Sequence, residues 1–157
     1  MLKTDVTIKG GGYVASFRSD LGGNCYRLFH EASGAEILRT PKDEAEFYTG
    51  IYPKDEATAR ACAETLAKKG VKNVLITMGT HGSAFVGGGE FIKVDSFKVN
   101  AIDTTAAGDT FVGAFVTRLS EGASVKEAMT FASKASSLTV TRRGAQQSIP
   151  YREEVKL

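Results

Sequence analysis

The chain has 157 residues, enough for one ordinary domain around a single hydrophobic core. Its 20 Lys and Arg against 18 Asp and Glu give a net charge of +2, and it holds no basic block, so neither a nucleic acid nor a membrane is expected as a partner. No apolar run reaches the ~18 residues of a membrane span, and the N-terminus lacks the basic-then-apolar order of a signal peptide, so a cytoplasmic protein is expected.

Up to about residue 40 the pattern is one of short strands. Asp5 to Lys9 and Tyr13 to Phe17 alternate apolar and polar residues on either side of Gly10-Gly11-Gly12. Leu21 to Asn24 reads as a turn, Cys25 to Phe29 as a third strand, Ser33-Gly34 as a second turn and Glu36 to Arg39 as a fourth strand. Together these predict a small antiparallel meander. Residues 43 to 50 predict a short helix ending at Gly50. Cys25 and Cys62 have no partners at metal-like spacing and read as reduced thiols, with a lone disulfide as the alternative.

From residue 54 the pattern becomes α/β. Asp55 to Lys69 predicts a helix with an acidic first turn and Gly70 as its stop signal. Asn73 to Met78 is a short apolar run of the kind buried in a parallel sheet. Ser83 to Val86, Glu90 to Lys93 and Phe97 to Asn100 predict strands, the first two joined by Gly87-Gly88-Gly89. Ala107 to Ser120 predicts a helix whose Gly108, Gly113 and Ala114 permit close packing. Ser124 with Glu127 forms a capping box for a further helix reaching about Val140. Gly144 to Pro150 reads as loop, and Arg152 to Val155 as a last helical turn.

The segment Asp103-Thr-Thr-Ala106-Ala107-Gly108-Asp109-Thr110 carries the most chemistry. Small residues opening a helix leave backbone N–H groups pointing outward, where the helix dipole adds positive potential. A transferring phosphate suits that place, and Asp109 stands where it could take a proton from a hydroxyl beside it. The same residues also read as an Asp capping a helix after a tight turn.

Several motifs in order resemble the C-terminal part of the ribokinase-like (phosphofructokinase-B) family of sugar kinases. They are Glu46 to Ile51, Val74 to Gly82, Asp103 to Asp109 and Val140 to Pro150, and the likeness covers roughly Glu46 to Val155. The resemblance implies a partial parallel sheet flanked by helices, with the N-terminal antiparallel strands added to it. It implies that Asp109 is the base that deprotonates a sugar hydroxyl. Ala106, Ala107 and Gly108 would then form an anion hole for the γ-phosphate of ATP. Thr77, Gly79, Thr80 and Gly82 match positions lining the nucleotide pocket, and Ser133 falls near the adenine. Asp103, Thr105, Thr139, Arg142, Gly144 and Ser148 match a potassium loop, mostly through carbonyl oxygens. Glu44 matches the acid of an Asn-x-x-Glu motif that helps hold magnesium through water, although Pro41 stands where the Asn belongs. Read without the resemblance, Thr77 is a β-branched strand residue, Ser148 bonds its own turn, Arg142 and Arg143 are a solvated pair, and His30 and His81 lie on the surface.

The front of the chain follows another pattern. Gly22 to His30 and Ala35 to Pro41 resemble the first strands of aldose 1-epimerase (mutarotase-like) proteins, but carry none of that family's catalytic histidines or glutamate. Gly22-Gly23-Asn24 reads as a plain β-turn, with a sugar-binding Gly-Gly motif as the alternative. Residues 1–40 are therefore expected to form a strand segment, not a domain of their own, and residues 41–157 the C-terminal part of a ribokinase-like domain. A gene remnant, a recombined chimera and an engineered fusion all fit such a junction. A kinase of a ribose-like sugar that uses ATP, magnesium and potassium is expected. Its turnover should be impaired because the sugar-binding half is missing from the sequence. The alternative is a non-catalytic α/β scaffold that binds nucleotide. Half a parallel sheet exposes an apolar edge, so a homo-oligomer, with strands exchanged, is also expected.

Overall fold

The computed structural model describes residues 8–10, 13–17, 25–30 and 36–157. Four strands come first: β1 (Ile8–Gly10), β2 (Tyr13–Phe17), β3 (Tyr26–His30) and β4 (Glu36–Pro41). Two helices follow, α1 (Lys42–Thr49) and α2 (Glu56–Ala67), and then strands β5 (Val74–Thr77), β6 (Ser83–Gly87) and β7 (Glu90–Val94). Helices α3 (Ala107–Ser120) and α4 (Val125–Thr139) complete the regular structure, apart from short 3-10 turns at Gly79–His81, Gln146–Ser148 and Arg152–Glu154.

All seven strands form one sheet in sequence order. β4 and β5 run parallel, pairing Leu38 with Val74 and Pro41 with Thr77. The other neighbours are antiparallel. The fold is α/β, with helices on both faces and the expected antiparallel meander at the front. Alternation along β5 sends Val74 and Ile76 to a cluster with Ala45, Ala59, Cys62 and Leu66 of α1 and α2. Leu75 goes to the other face, among Leu28, Phe85, Phe111, Phe115 and Met129 under α3 and α4. Burial on both faces is why β5 reads as an unbroken apolar run.

Local chemistry sets the helix ends. Asp55 accepts the Thr58 amide at 2.9 Å to start α2, and Ser124 and Glu127 form the expected capping box on α4. Gly50, at φ 72°, takes the left-handed turn that ends α1 and donates to the Glu46 carbonyl. Glu121, just past α3, accepts from Arg118 at 2.6 Å and Arg152 at 2.9 Å, which ties the C-terminal turn to the end of α3. Hydrogen bonds from these two guanidinium groups, Arg152 first, lower its carboxyl pKa to about 2. Cys25 and Cys62 are both buried, and no disulfide joins them. Among the described residues no helix is long and apolar enough to cross a membrane.

Two expectations need correction. Phe97 to Asn100 is not a strand, because β7 is the sheet's edge and these residues find no neighbour to pair with. Lys98, Val99 and Asn100 are exposed, while Phe97 is held by Lys134, whose ammonium lies 4.7 Å from its ring centroid. Gly113 does not serve close packing either: a methyl group added there would meet nothing within 4 Å. The turns expected at Leu21 to Asn24 and at Ser33-Gly34, with strand residues Asp5 to Thr7, lie outside the described residues.

Phe115 is fully buried at the centre of the larger cluster. Phe115→Ala should lower the unfolding free energy by about 3–5 kcal/mol in urea titration. A loss under ~1 kcal/mol would mean that α3 does not pack on the sheet as described.

Candidate functional site

Because β4 and β5 are parallel, their C-terminal ends open at the same edge of the sheet, the usual place for a ligand crevice in α/β folds. β4 leads directly into α1 at Lys42. β5 leads through Met78 into the Gly79–His81 turn. The start of α3 reaches the same edge, where Gly108 lies against Arg39.

Ala106 precedes the first turn of α3 with no side-chain cap. The Ala107 amide donates to the Thr104 carbonyl at 3.2 Å. Gly108 and Asp109 are the second and third helical residues, whose amides have no acceptor within a helix. Asp109 is exposed, and its acidic position in the first turn suits the dipole. It also lines a groove of about 250 Å³ with Gly113, Phe131 and Ile149. From α4, Ser136 Oγ donates to the Ala107 carbonyl at 2.9 Å and Thr139 Oγ1 to Thr110 Oγ1 at 3.1 Å, which anchors the helix start.

The turn after β5 depends on glycine. Gly79 has φ 58° and Gly82 φ 82°. A methyl on Gly82 would come within 2.0 Å of the Val94 carbonyl oxygen, so no other residue fits. The Met78 amide donates to the Gly82 carbonyl at 2.8 Å, and Ser96 Oγ donates to the Thr80 carbonyl at 2.7 Å. Thr80 and His81 are exposed. Ser133 is buried on α4, next in sequence to the Lys134 that covers Phe97.

The segments around residues 103 and 139–148 meet. The Asp103 carboxylate accepts from the Gly144 amide at 3.0 Å, and from the amide and hydroxyl of Thr105. The amides of Ile102 and Asp103 both donate to the Val140 carbonyl. Arg142 turns its side chain to Glu154 at 2.7 Å, and its amide donates to the Thr139 carbonyl. The buried Ser148 donates to the Ala145 carbonyl at 2.6 Å. These donors are oxygens with one carboxylate among them, which suits an alkali ion in kind. Among the described residues no group of three or more His, Cys, Asp or Glu could cage a metal. Glu44, half-buried in the first turn of α1, could hold magnesium only with substrate oxygens and water completing its shell.

Two cations at this edge were not singled out in the sequence. Arg39 is only 3% exposed and donates from Nη2 to Thr77 Oγ1 at 2.8 Å. A methyl on Gly108 would lie 3.1 Å from that Nη2. Lys42 Nζ lies 5.5 Å from the Tyr52 ring centroid and 3.8 Å from where a methyl on Gly79 would be. The hydrogen bond that Lys42 donates to the Tyr52 oxygen raises the Lys42 pKa, so it stays charged. Alternation in β4 puts Arg39 on the same face as the half-buried Ile37, but alternation alone does not say that a charge is buried there. A separate cavity of about 240 Å³, lined by Cys25, Thr40, Tyr48 and Lys69, lies on the sheet face that α1 and α2 cover, away from Asp109.

The sequence pattern of the pfkB family carbohydrate kinases matches residues 5–152. The chain is 46% identical over 121 residues to the ribokinase of Staphylococcus aureus, and 44% over 119 residues to that of Haemophilus influenzae. Each match covers 76% of this chain, which spans about 40% of the length of either relative. Among solved structures, Arabidopsis thaliana ribokinase complexed with ribose and ATP superposes with a TM-score of 0.71 at 36% identity, covering 80% of this chain and 41% of that one. Thermotoga maritima ribokinase gives 0.67 at 41% identity, with 76% and 40% covered.

The amide and hydroxyl of Thr105 and the amide of Gly144 stabilise the charged form of Asp103 and bring its pKa down to about 2 from 3.8. The tie between the two segments is therefore complete above pH ~4 and is lost as pH falls through about 2. In NMR the Gly144 amide should titrate with a midpoint near 2, and Asp103→Asn should abolish that titration. A Gly144 midpoint near 4 would mean that the carboxylate is not held as described.

Proposed function

Since the chain belongs to the pfkB family of carbohydrate kinases, we propose that it carries the nucleotide-binding and phosphoryl-transfer part of an ATP-dependent, ribokinase-type sugar kinase. The observation that carries this reading is an exposed acid, Asp109, one residue past Gly108 at the free start of α3, above the joint ends of β4 and β5. Asp109 takes the proton from the attacking sugar hydroxyl as it approaches phosphorus. The Gly108 amide, with the dipole of α3, stabilises charge on the γ-phosphate oxygens, and Ala106 and Ala107 shape the turn that presents it.

Thr77, Gly79, Thr80 and Gly82 line the phosphate and ribosyl side of the nucleotide, where the absence of side chains on the glycines lets the ligand approach the backbone. Ser133 lies toward the adenine. Magnesium neutralises phosphate charge when bound, with Glu44 holding it through water. Potassium would be held by Asp103, Thr105, Thr139, Arg142, Gly144 and Ser148, a ring that contains the Asp103–Gly144 tie and leads straight into α3.

The sugar is ribose-like, as in the Arabidopsis relative, which holds ribose and ATP. Residues 1–40 serve as strands that extend the kinase sheet, a reading supported by the direct pairing of β3 with β4 and by Leu28 in the core under α3. Residues 41–157 hold the groups for chemistry. Positioning supplies much of the catalysis in phosphoryl transfer, so phosphorylation of ribose by this stretch alone is weak.

Calorimetric titration with a non-hydrolysable ATP analogue, magnesium and potassium tests this. The expected result is saturable binding that Asp109→Asn leaves intact, while any ribose phosphorylation falls by ~10²–10⁴-fold in the variant. Absence of analogue binding by the parent protein would overturn the reading.

A further inference from the structure

The junction of β4 with α1 places a cation against each of the two glycine backbones of the site. At Gly108 the three nearest atoms to an added methyl all belong to the Arg39 guanidinium, at 3.1, 3.6 and 3.8 Å. At Gly79 the one atom within 4 Å is Lys42 Nζ. Thr77 joins the two, because it accepts from Arg39 and stands two residues before Gly79. Arg39 thus links Thr77 to Gly108, and Lys42 stands at Gly79. Each end is a glycine backbone with a cation packed against it.

We propose that Arg39 and Lys42 are polyphosphate-binding residues, Arg39 toward the γ-phosphate at the start of α3 and Lys42 toward the phosphates nearer the nucleoside at the Gly79 turn. The proposal rests on the nucleotide reading above and assigns the charge recognition within it. A guanidinium is a planar fork matched to phosphate oxygens, and an ammonium on a flexible stem is a compact charge that follows a bent phosphate chain. Burial of Arg39 strengthens its pull, because little water screens it. It also sits at the positive end of α3, which favours an anion beside it. Between the two cations, Pro41 has no side-chain donor and Thr40 donates its hydroxyl to the Pro41 carbonyl at 3.2 Å, so Arg39 and Lys42 are the charged donors of this junction.

A purely structural Arg39 would hold Thr77 and the start of α3 without discriminating among ligands. Titration of the 157-residue protein with adenosine, ADP and a non-hydrolysable ATP analogue, in the presence of EDTA and again with magnesium, separates the two. In EDTA the parent affinity should rise from adenosine to ADP to the analogue. Arg39→Met and Lys42→Met should each weaken analogue binding about tenfold and leave adenosine binding within twofold, with Arg39→Lys recovering part of the loss. Each removal should also flatten the salt dependence of analogue binding.

Analogue binding by the Met variants within twofold of the parent would overturn the proposal, and so would an equal loss for adenosine. Should Arg39→Met fail to fold in a thermal melt, Lys42→Met, on a half-buried side chain at the surface, decides the matter by the same criteria. A parent that binds none of the three ligands defeats the nucleotide reading itself. A parent that binds them, with variants unchanged, defeats only the assignment of these two residues.

Discussion

The parallel pairing of β4 with β5 is the constraint on which the rest of this structure depends. It is the one parallel pair in the described sheet, and it alone brings two strand ends, a helix start and a glycine turn to a common edge. An antiparallel pairing would send the β4–α1 junction and the Gly79 turn to opposite ends of the sheet. The cost of that arrangement is a crossover, and α1 and α2 provide it while covering one face of β5. α3 and α4 cover the other. The apolar clusters on the two faces are therefore the structural counterpart of the crevice between the strand ends.

Three features contribute positive potential at that edge. The start of α3 presents amides that no helical acceptor can satisfy. Arg39 adds a buried full charge beside Gly108, and Lys42 adds another beside Gly79. Asp109 is the acid placed among them, one residue past Gly108, where a helix dipole favours a carboxylate. The Asp103–Gly144 tie fixes the loop that leads into this helix, so the position of Asp109 is set from both sides, by that loop and by Ser136 and Thr139 of α4.

Much of the fold was legible because its signals are local. Gly50, Asp55, Ser124 and Glu127 announce helix ends through bonds that span a few residues, and the helix Ala107–Ser120 falls where its periodicity puts it. Phe97 to Asn100 shows where such reasoning stops. Its residues suit a strand, yet strand formation needs a partner, and the sheet ends at β7. Gly113 shows a second limit. Small residues on a helix suggest close packing, but the side of α3 that carries Gly113 faces an open groove. The candidate site divides in the same way. Asp109, Gly79 and Gly82 are readable from motif and turn chemistry, whereas Arg39 looks like any polar residue in a short strand until its surroundings are known.

By itself the sequence determined the helices and the seven strands, while also offering a strand at 97–100 that does not form, together with the glycine positions of the turns and an acid in the first turn of a helix. These follow from backbone sterics and from bonds between near neighbours, which act before any tertiary contact forms. Only the tertiary structure decided that β4 lies parallel to β5, that Asp103 reaches Gly144, and that Arg39 is buried with its fork between Thr77 and Gly108. Register and the burial of a charge depend on what packs from distant parts of the chain, and no local pattern carries that information.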